Sequence, residues 1–302
     1  MQRILTSVVS ALVVFAAVAE GQGITRELSA LRMPAWPRVA GLGDIGAATL
    51  LPEGLFYNPA LAGSAPAMAG SAHLFGSDSM LTTFVTGIGT GVASIGAGIQ
   101  ILRANIGPDP LVDPIPGVVI PDDHSLTTIS TVGAMMRFKG IRWGASAKYV
   151  QILERGTKEE GVAFDVGAHR QIGVFQVGLA VQNLGDDMDV GPDKLELPFR
   201  ATLAAEGQGL PIGAFIDFGA AAALAVDRDG EILPALGGQV LYTPLDGWTF
   251  TARAGVRRPA PNSNQQPITG GLAITLDRLT LDYAIEGVKH GNAVHRIGLR
   301  LR

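Results

Sequence analysis

The sequence predicts an all-β protein, a fourteen-stranded antiparallel transmembrane β-barrel. Apolar residues alternate with polar or small ones from about residue 67 to the end, many alternating runs reach about ten residues, and short and long connections alternate. Globular strands cluster near five or six residues, whereas membrane-spanning strands need about 9–11. Alternation alone also fits a half-exposed antiparallel sheet, so a secreted soluble β-sandwich is an alternative.

The first residues predict a secretory signal peptide over residues 1–19. Arg3 supplies the basic start, an apolar stretch follows, and Ala17-Val18-Ala19 matches a cleavage site. A transmembrane anchor is the alternative, but the apolar run is short and ends in small residues. With no cysteine in the chain, disulfides, thiolate catalysis and a lipoprotein anchor are excluded.

Period-two alternation places the strands along the rest of the chain. In residues 279–286, LTLDYAIE, large apolar side chains share one face, and Asp282 and Glu286 lie on the other. The predicted strands span 67–77, 80–90, 92–103, 125–138, 141–153, 161–171, 173–183, 197–207, 212–226, 231–243, 247–258, 267–277, 278–288 and 292–302.

The predicted connections fall into two alternating sets. The tight set comprises 90–91, 139–140, 172–173, 208–211, 244–247 and 277–278. The other set holds the long connections 104–124, 154–160, 184–196 and 259–266, with short members at 77–79, 227–230 and 289–291. Short periplasmic turns alternating with longer outer loops are typical of outer-membrane barrels. Aromatic residues beside two tight turns, at 138, 143, 242 and 248, fit an interfacial girdle or ordinary strand positions.

No motif for catalysis, metal or cofactor binding is present. The five histidines form no metal-binding spacing, and no nucleophile elbow or Walker loop occurs. The acids of loop 105–124 do not follow a Ca²⁺ loop pattern. A net charge of −4 without a basic stripe excludes a nucleic-acid partner. We therefore expect a protein that is not an enzyme.

Seven charged residues lie on the polar side of predicted strands. They are Lys148, Asp165, Arg253, Arg257, Asp282, Glu286 and Arg296. A Lys or Arg facing lipid near the bilayer midplane costs about 2–4 kcal/mol. We therefore expect these side chains to face the lumen or the rims, where they either hold the lumen together or contact a substrate.

Residues 33–63, MPAWPRVAGLGDIGAATLLPEGLFYNPALAG, resemble the entry region of PorV/PorQ-type outer-membrane proteins, a family related to the FadL long-chain fatty-acid transporters. The shared pattern runs from glycines and small residues through an acid to an aromatic followed by Asn-Pro-Ala and a glycine. The matching positions are Gly41, Gly43, Gly46, Ala47, Glu53, Tyr57, Asn58, Pro59, Ala60 and Gly63. Segments 161–185, 197–207 and 271–302 are also similar to this family.

The resemblance implies an N-terminal plug over residues 20–66 inside a barrel formed by residues 67–302. Asn58 suits an N-cap, Pro59 the first helical position and Gly63 the end of a short turn. Such a turn satisfies much of its own backbone and can lie inside a barrel. The alternative is an ordinary capped connector into the first strand.

Three functions follow as hypotheses. The first is a secretion-associated binding or scaffold protein in the outer membrane of a diderm bacterium, with outer-membrane lipid and secretion components or cargo as partners, as the PorV/PorQ resemblance implies. The second is a FadL-like transporter for hydrophobic small molecules. The third is the soluble β-sandwich binding protein.

Overall fold

The computed structural model describes residues 26–63, 67–75, 79–107, 123–190, 193–260, 263, 265–288 and 293–301. The predicted signal peptide lies outside these residues, as does most of the long loop predicted over 105–124. The strands are β1 Arg26–Glu27, β2 Ala67–Phe75, β3 Ser79–Gly89, β4 Ala93–Gly107, β5 Asp123–Phe138, β6 Ile141–Glu154, β7 Thr157–Ile172, β8 Phe175–Leu184, β9 Met188–Val190, β10 Asp193–Glu196, β11 Arg200–Pro211, β12 Ile216–Asp227, β13 Ile232–Leu245, β14 Trp248–Arg257, β15 Gln265–Leu276, β16 Leu279–Val288 and β17 Val294–Leu301.

Fourteen of these strands form one closed antiparallel barrel, which confirms the predicted fold. Each of β2–β8 and β11–β17 pairs with its neighbours along the chain. The barrel closes where β17 pairs with β2 and where β8 pairs with β11. The β-sandwich alternative is therefore wrong, because the sheet closes on itself. Strands β1, β9 and β10 form a separate three-stranded sheet.

The two ends of the barrel differ in their connections. The turn end carries tight reversals such as Lys139-Gly140, both with positive φ. The loop end carries the connection between β6 and β7 and the one between β8 and β11. The prediction of a long loop over 154–160 is wrong, because Arg155 and Gly156 form a two-residue turn and both strands continue to it. Because polar residues occupy both faces of this hairpin, its sequence lacks the alternation of apolar and polar residues that predicts a strand.

The outer surface of the barrel is apolar. Along β5, for example, Val132 and Met136 are 58% and 59% exposed, whereas the residue before each of them, Thr131 and Met135, points inward and is buried. The aromatic residues Phe138, Trp143, Tyr242 and Trp248 all face outward at the turn end. Within the described residues, helices are all too short or too polar to cross a bilayer.

Residues 28–63, which precede β2, are folded inside the barrel. We call residues 28–63 the plug. It contains the α-helix α1, Pro37–Gly41, and the 3₁₀ turns Ser29–Leu31, Pro52–Phe56 and Pro59–Leu61. Helix α1 packs against β14–β17, and the last 3₁₀ turn packs against β5–β7 on the other side. The plug therefore spans the interior from wall to wall.

Candidate functional site in the plugged lumen

Asn58 holds the last turn of the plug and ties it to the wall. Its Oδ1 accepts a hydrogen bond from the Ala60 amide at 3.0 Å, which is the geometry of an N-cap, and Pro59 is the first residue of the turn. Its Nδ2 donates to the Ala47 carbonyl at 2.8 Å and to the Ala168 carbonyl of β7 at 3.1 Å. One buried side chain thus joins the turn, the rest of the plug and the barrel.

Gly46 makes room for the ring of Tyr57. A Cβ on Gly46 would lie 2.5 Å from the Tyr57 ring. The Tyr57 hydroxyl accepts a hydrogen bond from the Trp36 amide at 3.1 Å. Burial, together with the nearby Asp44 carboxylate, raises the pKa of the Tyr57 hydroxyl well above its ordinary value. Tyr57 therefore acts as an uncharged anchor within the plug.

The remaining predicted glycines allow the plug backbone to approach the wall. A Cβ on Gly41 would lie 3.3 Å from the Cα of Gly271 on β15. Gly43 has φ +77 and donates its amide to Thr269 Oγ1 at 3.1 Å. Gly63 has φ +56, which favours glycine, and ends the plug against carbonyls of the β3–β4 hairpin.

Glu53 reaches the wall through a buried cluster of charges. Arg300 donates to Glu53 at 3.2 Å and to Asp282 at 2.9 Å, and Arg253 donates to Asp282 at 2.6 Å. Burial raises the pKa of the Glu53 carboxyl, while Arg300 acts in the opposite direction. Trp36 Nε1 also donates to Asp282, at 3.4 Å. The plug and three strands therefore share one network.

A second cluster joins α1 to β11. Arg38 pairs with Glu206 and donates to Thr49 Oγ1 at 3.1 Å, and the Thr49 hydroxyl donates to Glu206 at 2.7 Å. Burial works against the charged form of Arg38, but the Glu206 carboxylate outweighs it and raises the pKa of the guanidinium. This pair links residues 168 positions apart in the chain.

A third cluster joins β14, β16, β17 and β2. Glu286 pairs with Arg257 and, at 2.6 Å, with Arg296. Arg296 also contacts His73 Nδ1 at 2.6 Å, and the other ring nitrogen of His73 lies 2.9 Å from Ser71 Oγ. Ser71 donates to the Ala35 carbonyl of the plug at 3.0 Å, so this cluster too reaches the plug.

Lys148 and Asp165 form the fourth cluster, between β6 and β7. Lys148 Nζ lies 2.9 Å from Asp165 and 2.7 Å from Asn183 Oδ1. Asp165 also accepts from the Asn183 amide at 2.8 Å, where the pairing of β7 with β8 shifts register. The Asp165 carboxylate thus accepts a backbone hydrogen bond at a point where the β7–β8 pairing is interrupted.

All seven charged residues singled out from the sequence lie in these four clusters. Sequence reasoning missed four further members, Arg38, His73, Glu206 and Arg300. Arg300 could have been found, because it shares the inward face of β17 with Arg296. Glu206 is an acid at the end of an otherwise small and apolar run, 201–205. Nothing in the local pattern marks Arg38 as the partner of Glu206.

The loop-end half of the interior is apolar on one side. Inward-facing Leu81, Leu102, Ile129, Val150 and Ile152 of β3–β6 form one buried cluster with plug residue Leu28. We call this cluster the apolar layer. Plug residues Leu31 and Met33 pack against it and also line a cavity of about 20 Å³ that lies next to it. Such a cavity holds about one water molecule.

Among the described residues, histidines and acids form no cluster that could hold a metal ion. The clusters place carboxylates against guanidinium and ammonium groups, an arrangement that fixes the plug. Their charged members are buried and paired with opposite charges, so they offer structural support rather than a reactive group.

The closed wall, its apolar outer surface and the inserted plug define the class: an outer-membrane-type β-barrel with an N-terminal plug. Solved structures with the same fold include a Pseudomonas aeruginosa FadL homologue, with TM-score 0.57 and 12% identity over 88% of this chain and 98% of that one. A ΔS2S3 mutant of the monoaromatic hydrocarbon channel TodX matches with TM-score 0.57 and 11% identity, covering 88% of this chain and 97% of that one.

CymD, another monoaromatic hydrocarbon channel, matches with TM-score 0.54 and 11% identity over 88% of this chain and 96% of that one. No protein-family profile matches the sequence, and no curated protein does. The chain therefore has the fold of FadL-like outer-membrane barrels. At 11–12% identity, the similarity shows the fold alone.

Proposed function

We propose that this protein is an outer-membrane transporter for small hydrophobic molecules. The observation that carries the proposal is the apolar layer inside the loop-end half of the barrel. Water-filled porins have a polar interior, whereas here Leu81, Ile129 and Val150 point inward and are fully buried. An apolar molecule gains free energy by leaving water for such a surface. The fold shared with hydrocarbon channels supports the same substrate class.

Transport in this proposal requires the start of the plug to move. The cavity beside the apolar layer is about 20 Å³, too small for an aromatic ring. Leu31 and Met33 occupy the space that a ligand needs, and they are only partly buried. By contrast, residues 35–58 are held by the ion clusters. A ligand would therefore displace residues 28–33 first and leave the rest of the plug in place.

The proposal is tested by toluene binding to purified protein in nanodiscs, with empty nanodiscs correcting for partition into lipid. Val150→Thr places a hydroxyl on the apolar layer at nearly unchanged volume, and we expect at least about fivefold weaker binding. Met33→Ala removes a plug side chain from the layer and should strengthen binding. Met80→Ala is the matched control, because Met80 faces outward on β3 and is 40% exposed. Wild-type protein that binds no more toluene than empty discs contradicts the proposal.

A secretion-associated scaffold of PorV/PorQ type is the second candidate. The resemblance of residues 33–63 favours it, as does an interior that the plug fills from wall to wall. Affinity isolation of the intact protein in mild detergent separates the two candidates. Secretion components or cargo that co-purify, together with toluene binding at the level of empty discs, support the scaffold. A bound apolar molecule without a protein partner supports the transporter.

A further inference from the structure

A row of basic residues lines the interior at the turn end of the barrel. Arg137 of β5 lies directly opposite Arg142 of β6, and Arg142 lies directly opposite His169 of β7. A cavity of about 190 Å³ opens among these side chains, with Gln171 and Gln176 on its wall. The cavity lies at the end of the barrel opposite the apolar layer.

Among the described residues, the two arginines of this row have no carboxylate partner. Like charges directly opposite each other on neighbouring strands are destabilising. Within the described parts of the chain, Arg137 and Arg142 make no ion pair, whereas every cluster deeper in the lumen pairs its cations with carboxylates. Glu206 acts on His169 electrostatically, but it is already bonded to Arg38 and Thr49.

Three polar atoms in the same place have no partner among the described residues. They are Arg142 Nη1, His169 Nε2 and Gln176 Oε1, all buried. His169 is 3% exposed, and its ring is fixed by a hydrogen bond to the backbone of Ala48 in the plug. A buried polar atom without a partner costs about 1–3 kcal/mol, so native proteins rarely leave several together. Together with the cavity and the two arginines that lack a carboxylate partner, these atoms point to a ligand site.

We propose that this cavity binds a phosphate group. Guanidinium groups bind phosphate oxygens through paired, charge-assisted hydrogen bonds. His169 Nε2 is a donor or an acceptor depending on its protonation, and Gln176 Oε1 is an acceptor. In inorganic phosphate or a phosphate monoester, a P–O⁻ oxygen accepts from Arg142 Nη1 and a P–OH group donates to Gln176 Oε1, and one of these two kinds of group pairs with His169 Nε2 according to the protonation of the ring, whereas sulfate has no donor. The cavity has the volume of about six water molecules, which accommodates a phosphate and some of its hydration.

The phosphate can come from free solute or from a lipid headgroup at the turn-end rim, where Arg170 also lines the cavity. Two titrations separate these sources. Inorganic phosphate is titrated into the protein in uncharged maltoside micelles, with sulfate as the comparison anion. Phosphatidic acid, whose phosphate monoester keeps a P–OH group, is tested by comparing nanodiscs that contain it with discs of phosphatidylcholine alone, using native mass spectrometry to count retained lipid.

The variants are Arg142→Gln and His169→Gln, with Arg278→Gln as the matched control. Arg278 is an exposed arginine at the same end of the barrel, in the β15–β16 turn on the far side from the cavity. We expect saturable binding by the wild-type protein, at least about tenfold weaker binding by Arg142→Gln, and unchanged binding by Arg278→Gln. Heat-modifiable gel migration confirms that each variant is folded.

Binding of inorganic phosphate, or selective retention of phosphatidic acid, supports the site and identifies its source. Equal binding of sulfate and phosphate contradicts the assignment to phosphate. The site itself is overturned by the absence of saturable binding to either probe. It is also overturned if Arg278→Gln loses as much affinity as Arg142→Gln. The site stands independently of hydrophobic transport, because its probes are polar and its variants lie away from the apolar layer.

Discussion

Arg38 of the plug and Glu206 of the barrel wall form a buried ion pair, with side chains only 4% and 2% exposed. Removing one partner of such a pair leaves an uncompensated buried charge, which typically costs about 3–5 kcal/mol. The pair, with Thr49 beside it, therefore fixes α1 against β11. Because the same plug also contacts β5–β7 through Pro59–Leu61, loosening one of these contacts weakens the whole insertion.

We expect Arg38→Ala to loosen the plug and to lower the temperature of heat-modifiable unfolding, while Arg38→Met combined with Glu206→Gln restores much of the loss. Limited proteolysis of the intact protein measures the plug directly, since residues 33–63 should be protected in the wild type and cleaved faster in Arg38→Ala. The control is Arg258→Ala, which breaks an exposed pair with Glu231 and should change little. Wild-type protein cleaved freely within 33–63 would contradict the plug itself.

The Glu53 carboxyl should give the protein a measurable pH dependence. Burial raises its folded-state pKa above the ordinary value of 4.5. The stabilisation that it contributes is therefore fully present below the unfolded-state pKa and is lost as the pH rises through the folded-state pKa. We expect the wild type to lose thermal stability relative to Glu53→Gln as the pH rises above about 4.5. The melting temperatures of both proteins, measured from pH 4 to pH 8, test this. If the two melting temperatures change in parallel with pH, Glu53 does not titrate in this way.

Gly46 should tolerate no side chain, because the Tyr57 ring fills the space of its Cβ. We expect Gly46→Ala to destabilise the protein by about 1–3 kcal/mol, the usual range for overpacking. Gly213→Ala is the matched control, since a Cβ on Gly213 meets open space and its φ is not positive. Both variants are compared with wild type by their midpoints of unfolding in urea. Equal midpoints for the two variants would mean that the ring moves aside freely.

Much of the wall could be predicted from the sequence, because strand alternation is a local property. Residues such as Asp282 and Glu286 are placed on one face by a period of two, whatever their partners are. The exception is the hairpin around Arg155-Gly156, whose strands carry polar residues on both faces and so lack the apolar alternation. The cap at Asn58 is also local, since its acceptor contact reaches only to Ala60.

The sequence by itself determined the all-β character, the strand faces and the capped turn of the plug, since each depends on residues close together in the chain. Tertiary structure alone decided which charges meet. Arg300 binds Glu53 across 247 positions, and three strands bring Arg137, Arg142 and His169 into one row. Such contacts depend on the register of the closed barrel and on how the plug fills it, and no local pattern carries that information.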